Sequence, residues 1–141
     1  MHDAYKYDIV MIFVCGNQRT MTRKLEIEKW TLEKELGAPR QFIYSELTHP
    51  GAKMEIAIGT LKKGETIPLE THVDGDQFIR LEDGEATVMD AREVAIFSLK
   101  AGDAVIIPSD TPHVVKAGQT TGCKYYSIYA KPQHTEELRR K

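Results

Sequence analysis

Cysteine is nearly absent from these 141 residues: Cys15 and Cys123 lie far apart, and neither sits in a CxxC or a Cys/His spacing. That excludes a zinc knuckle and a disulfide-built scaffold, and leaves free thiols in a reducing compartment as the simplest reading. A surplus of positive charge is also missing, with 19 Lys and Arg against 21 Asp and Glu. Phosphate binding needs a basic surface, so nucleic acid is excluded as the main partner. The basic residues Arg139, Arg140 and Lys141 read as a solvated tail. The longest apolar run, "IVMIFVC" at residues 9–15, is far short of the roughly 20 residues that cross a bilayer as a helix. Nor does it read as a secretion signal, because Asp3 and Asp8 precede it and no small-residue cleavage site follows. No membrane partner is expected, and the chain is expected to be soluble and cytoplasmic.

Internal repeats and low-complexity tracts are lacking too, as is room for βαβ crossovers. What is present from residue 41 onward is a series of short β-rich segments: "QFIYSEL", "MEIAIGTL", "TIPLETHV", "DQFIRLEDGEATVMD", "EVAIFSL", "DAVIIPS", "HVVKA" and "KYYSIYA". Turn residues separate them, at His49-Pro50-Gly51, Lys63-Gly64-Glu65, Asp74-Gly75-Asp76, Asp83-Gly84, Ala101-Gly102-Asp103 and Ala117-Gly118. Strands at this spacing predict an all-β antiparallel sandwich or barrel in a single domain. Residues 24–36 fit either a strand or a short helix ended by Gly37 and Pro39.

Polar residues interrupt two of the strands. Glu70 and His72 are two apart, so a strand would point both to one face. Gln77 shares a face with Ile79 and Leu81, and His113 with Val115, which marks both as interior. Around Glu70 the pattern is weaker, since Ile67, Leu69 and Val73 have the opposite phase. A Glu and a His facing inward are costly unless paired or metal-bound. Alternation alone leaves open a metal site or a solvated polar face. His2, His49 and His134 fall in turns or near the termini and are expected to be exposed. On the last strand, either Tyr126 or the pair Tyr125 and Tyr129 would line the interior. Phe78, Phe97 and Trp30 read as packing residues, and no inward Arg or Lys suggests a phosphate clamp, Arg80 facing away.

The spacing of Gly64, Glu70, His72, Gln77 and Gly84, followed by Gly102, Pro108 and His113, resembles the two motifs of the cupins. These motifs run G-x5-H-x-H-x(3,4)-E-x6-G and G-x5-P-x-G-x2-H-x3-N. Glu70 stands at the first His and Gln77 at the Glu, while Asp110 and Ala117 replace a Gly and an Asn. "GDAVIIPSDTPH" and "YYSIYAKPQH" are similar to small cupins described as mannose-6-phosphate-isomerase-like.

This resemblance implies a double-stranded β-helix (jelly-roll) barrel over residues 41–134, with residues 1–20 as an N-terminal arm and short helical turns. It implies one divalent transition metal, Zn, Fe, Mn, Ni or Co, held by Glu70, His72, Gln77 and His113, and a small-molecule ligand for which Tyr126 is a candidate contact. The arm, with its apolar strand 9–15, implies a homodimer. Three functions follow as expectations: a metal-dependent isomerase or epimerase on a sugar-like molecule, a non-haem-iron-type dioxygenase using His72, His113 and Glu70, or a non-catalytic binding barrel.

Overall fold

The structure, a computed structural model, describes residues 7–14, 18–25 and 40–140. It divides into two compact units, Met1–Leu32 and Glu33–Lys141. In the first, β1 (Tyr7–Val14) and β2 (Gln18–Leu25) form an antiparallel hairpin with Tyr7 opposite Leu25 and Val14 opposite Gln18. The apolar strand expected at residues 9–15 thus finds a partner within the chain through Val14. Cys15, His2, Trp30 and residues 26–36 lie outside the described residues.

Among the described residues, the second unit carries eight strands: β3 (Arg40–Tyr44), β4 (Glu55–Leu61), β5 (Thr66–Glu70), β6 (Gln77–Met89), β7 (Ala95–Lys100), β8 (Ala104–Ile107), β9 (His113–Ala117) and β10 (Cys123–Tyr129). A short helix, α1 (Thr135–Arg140), follows them. All described pairings are antiparallel, in the order β3-β4-β10-β6-β9-β5, with β7 and β8 also on β6. This is the curled sheet of a double-stranded β-helix, as expected. No helix among the described residues is long and apolar enough to cross a membrane.

One strand holds the two walls together. The first half of β6 lies between β10 and β8, and its second half between β9 and β7. The sequence suggests a turn at Asp83-Gly84, but the strand runs through it. Gly84 has φ +79°, and the pairing with β10 slips by one residue nearby, so the chain bends there without breaking. Alternation then sets the interior: Ile79, Leu81, Val88, Val105, Val115 and Tyr125 join one buried cluster. Phe97 departs from its expected packing role. It is 46% exposed, beside Ile96 and Val94, because β7 pairs with β6 alone.

Helix α1 is placed by one side chain. Leu138 is buried against Phe42, Ala57 and Tyr129, while Glu136 and Glu137 in the first turn and Arg139 and Arg140 in the last complement the helix dipole. Pinning Leu138 also brings the segment before the helix, residues 130–134, over one end of the barrel.

Candidate metal centre

Glu70 reaches the interior through an irregularity of β5. Ile67 pairs with Val115 and Glu70 with His113, so the register slips between them, where Pro68 cannot donate to the ladder. Ile67 and Glu70 therefore point inward although three apart, and Leu69 is left 54% exposed. The strand ends at Glu70, and His72 turns inward from the following loop, buried. That bulge accounts for the weak alternation of the segment.

His113 comes from the neighbouring strand β9, where it pairs with Glu70, and Gln77 from the start of β6, both buried. The Nδ1–H of His113 donates to the Thr111 carbonyl at 2.8 Å, which turns its Nε2 toward the interior. Burial first of all holds His113 below the usual imidazole range, keeping the ring neutral. The amide of Gln77 donates to Ser127 Oγ and to the Tyr129 hydroxyl, each at 3.3 Å, leaving its Oε1 free. The result is that three buried atoms, His72 Nε2, His113 Nε2 and Gln77 Oε1, have no hydrogen-bond partner. Unsatisfied buried polar atoms are rare in native proteins, and these three, like the Tyr125 hydroxyl on the inner face of β10, are groups whose bonding capacity a ligand could complete.

The donor set fits a divalent transition metal. Imidazole nitrogens and a hard oxygen suit Zn, Fe, Mn, Co or Ni, and the absence of thiolate disfavours Cu(I). The rings of His72 and His113 have centres 5.3 Å apart. Two imidazoles bound to one ion at about 2.0 Å would have centres roughly 5 Å apart. Glu70 Oε1 lies 3.5 Å from His72 Nε2.

Behind Glu70 stands a chain of charges. The Arg40 guanidinium, 3% exposed, contacts both Glu70 oxygens at 3.0 and 2.8 Å. His134, also buried, lies 3.3 Å from Glu70 Oε2 through Nε2 and donates Nδ1–H to Glu55 Oε1 at 2.6 Å. Glu55 is fully buried and also accepts the backbone N–H groups of Gln133 and His134. Burial would raise the Glu70 carboxyl, but His134, His72 and Arg40 outweigh it and hold it well below the usual carboxylate range. Burial would lower His134, but its bonds to Glu55 and then Glu70 push it up to about 9.

These shifts predict a pH response of the chelator-treated protein. His134 titrates higher folded than unfolded, so its stabilisation is complete below about pH 6.5 and is lost as pH rises through about 9. The Glu70 contribution has the opposite sense, present above about pH 4.5 and lost in acid. Raising the pH from about 6.5 to 9.5 should lower the melting temperature by on the order of 10 °C. His134→Gln should flatten that slope. A wild-type curve as flat as the variant's would mean that His134 is neutral in the fold.

Glu70, His72, Gln77 and His113 are thus all brought to one interior. Tyr126 is not: Tyr125, Ser127 and Tyr129 take the inner face of β10, and Tyr126 stands on the other, its ring 6.0 Å from that of Phe78. Arg80 does face away, paired with Glu82. His49 and His134 are buried, not exposed: His49 stacks on Tyr44 with ring centres 4.4 Å apart, in a turn closed by Ser45 and Thr48. Arg40, Glu55 and Tyr129 complete the surroundings. Arg40 and Glu55 have a sequence signal, because they alternate with the buried Phe42 and Ala57 on their own strands. His134 has no signal from alternation, since it follows the last strand, although it closes the segment "YYSIYAKPQH" that is similar to the small cupins.

Residues 57–129 match the protein family described as "Cupin domain". YrkC of Bacillus subtilis (strain 168) is 35% identical over 88 residues, 60% of this chain and 47% of that protein. The chain spans about half the length of the curated relatives it matches. Among solved structures, BH2720 of Bacillus halodurans is 30% identical with a TM-score of 0.59, over 70% of this chain and 74% of that one. The cupin domain of Schizosaccharomyces pombe Cnp3 shares the fold at 12% identity, with a TM-score of 0.62 over 95% and 93% of the two chains.

Proposed function

The chain belongs to the cupin family, and on that premise we propose that it binds one divalent transition metal through His72, His113, Gln77 and Glu70 and acts on a small polar molecule beside it. The observation that carries this is the set of three buried donor atoms, His72 Nε2, His113 Nε2 and Gln77 Oε1, that make no hydrogen bond, His72 Nε2 having only Glu70 Oε1 nearby at 3.5 Å. A cavity of about 420 Å³ opens on the Glu70 and His72 side of this set, lined by Pro68, Leu69, Glu70, His72, Val73 and His134 among others, with Gln77 and His113 behind it. That volume suits a small-molecule ligand. Leu69 and Val73, 54% and 60% exposed, give it an apolar mouth above a polar floor.

A bound ion would supply a Lewis acid that polarises a carbonyl or hydroxyl oxygen. The chain's own residues do the positioning. Thr111 orients His113, Ser127 and Tyr129 orient Gln77, and Arg40 with His134 fixes Glu70. Two imidazoles and an amide are neutral donors, and Glu70 already shares its charge with Arg40, so a divalent ion keeps most of its positive charge. This favours Lewis-acid chemistry of the isomerase or epimerase kind. One carboxylate, Glu70, paired directly across from His113, together with the imidazoles of His113 and His72 supports a second reading, oxygenase-type chemistry on iron.

Elemental analysis of protein purified without chelator or a nickel column tests the proposal. About one ion per chain is expected, lost in His72→Ala and in His113→Ala. Zinc would select the first chemistry and iron the second. A wild-type chain that carries no metal and takes none up would end the proposal.

A further inference from the structure

The metal positions named so far come from the two sequence motifs, and His134 belongs to neither. Yet among the described residues, the group whose candidate ligand atoms all lie within 4.8 Å of one another is Glu70, His72 and His134. Building on the metal-binding reading above, we propose that His134 is a further metal ligand, coordinating through Nε2 from outside the barrel strands.

The two nitrogens of His134 are held differently. Nδ1 makes a short bond of 2.6 Å to a fully buried carboxylate, Glu55, which is itself fixed by two backbone N–H groups of the same segment. A carboxylate on one imidazole nitrogen is what orients the other toward a metal and raises its basicity. Nε2 has only a 3.3 Å contact with Glu70 Oε2, longer than a charge-assisted hydrogen bond of about 2.7–2.9 Å. That carboxylate is already satisfied, since both of its oxygens meet Arg40. The ring centres of His134 and His72 are 5.5 Å apart, close to the His72–His113 spacing of 5.3 Å. The His72 ring thus lies, from each of the other two imidazoles taken singly, near the distance expected for two rings that share an ion.

The backbone around His134 is built to hold it there. Gln133 Nε2 donates to the Val73 carbonyl at 3.0 Å, Ala130 N–H donates to the Asp76 carbonyl at 2.9 Å, and Lys131 pairs with Asp74 at 3.4 Å. The segment is therefore tied to the loop that carries His72. On the far side, Leu138 sits in its cluster with Phe42 and Tyr129. His134 is fixed from both directions.

X-ray absorption on the zinc-loaded full chain tests this, with zinc affinity measured by competition with a chelating dye. Three imidazoles are expected around zinc in the wild type and two in His134→Ala, with an affinity lower by at least tenfold. Glu55→Gln should keep all three imidazoles while weakening binding about 10–100-fold, because it disturbs the orientation and basicity of the His134 ring without removing it. An unchanged imidazole count in His134→Ala would overturn the assignment and leave His134 as an ionic partner of Glu70, with the metal site intact. A wild type that binds no zinc or other ion would instead overturn the metal reading itself. Should His134→Ala fail to fold, ¹⁵N NMR of the imidazoles in the zinc-loaded wild type decides. An Nε2 of His134 without a proton and shifted by the metal supports the assignment, and a protonated one overturns it.

Discussion

Glu55→Ala is expected to destabilise the fold by about 3–5 kcal/mol. Glu55 is fully buried, and its carboxylate accepts from the backbone N–H of Gln133, the backbone N–H of His134 and Nδ1 of His134. Alanine removes both acceptor oxygens, and with them all three hydrogen bonds, and leaves the donors in a dry interior. It also upsets a balance of charge, because Arg40 and His134 then face Glu70 alone. For a chain of this size the loss corresponds to a fall in melting temperature on the order of 10–15 °C. Glu55→Gln, which keeps one acceptor oxygen, should fall between the two. A melt of Glu55→Ala within two or so degrees of the wild type would mean that water replaces the carboxylate at no cost.

Gly84→Ala should be more damaging still, and for a reason of backbone geometry. A Cβ at Gly84 would stand 1.9 Å from the Gly122 carbonyl oxygen and 2.9 Å from Cys123 Cα. Both obstacles are main chain, so no rotamer change relieves them, and φ at +79° adds a further penalty. Either β10 must leave β6 or the bend in β6 must flatten, and each takes apart pairings between the two walls. A loss above about 5 kcal/mol, or no soluble protein, is expected. Gly51→Ala separates the two causes. Gly51 has φ +86° but nothing within 4 Å of the added carbon, so only the backbone term of about 1 kcal/mol applies. Urea melts of the two variants side by side would show it, and equal losses would sink the steric account.

The contrast between what could and could not be foreseen is physical. Gln77, Ile79 and Leu81, like His113 and Val115, were legible as interior because a regular strand repeats every two residues. Glu70 was harder, since the bulge after Ile67 changes the period to three, and alternation has no symbol for an added residue. Arg40 and Glu55 carry the right phase, yet a charged residue at an interior position is credible only with its partner in view. Those partners are remote: Arg40 meets Glu70 at a separation of 30 residues, and Glu55 meets His134 at 79. The spacing of His134 in the sequence says nothing, because Leu138, not any local pattern, seats the segment.

The two-sided bonding of β6 bears on how the site opens. A strand flanked on both sides over most of its length should exchange its amide hydrogens for deuterium last, only in global opening events. Gln77 begins that strand. Glu70 sits at the end of a bulged strand, His72 in the loop beyond it and His134 on the segment tied to that loop. The cage thus has a slow inner wall and a faster outer one. An ion or small molecule is expected to enter and leave past residues 69–73 and 131–134, by local opening of those segments, while the barrel stays closed.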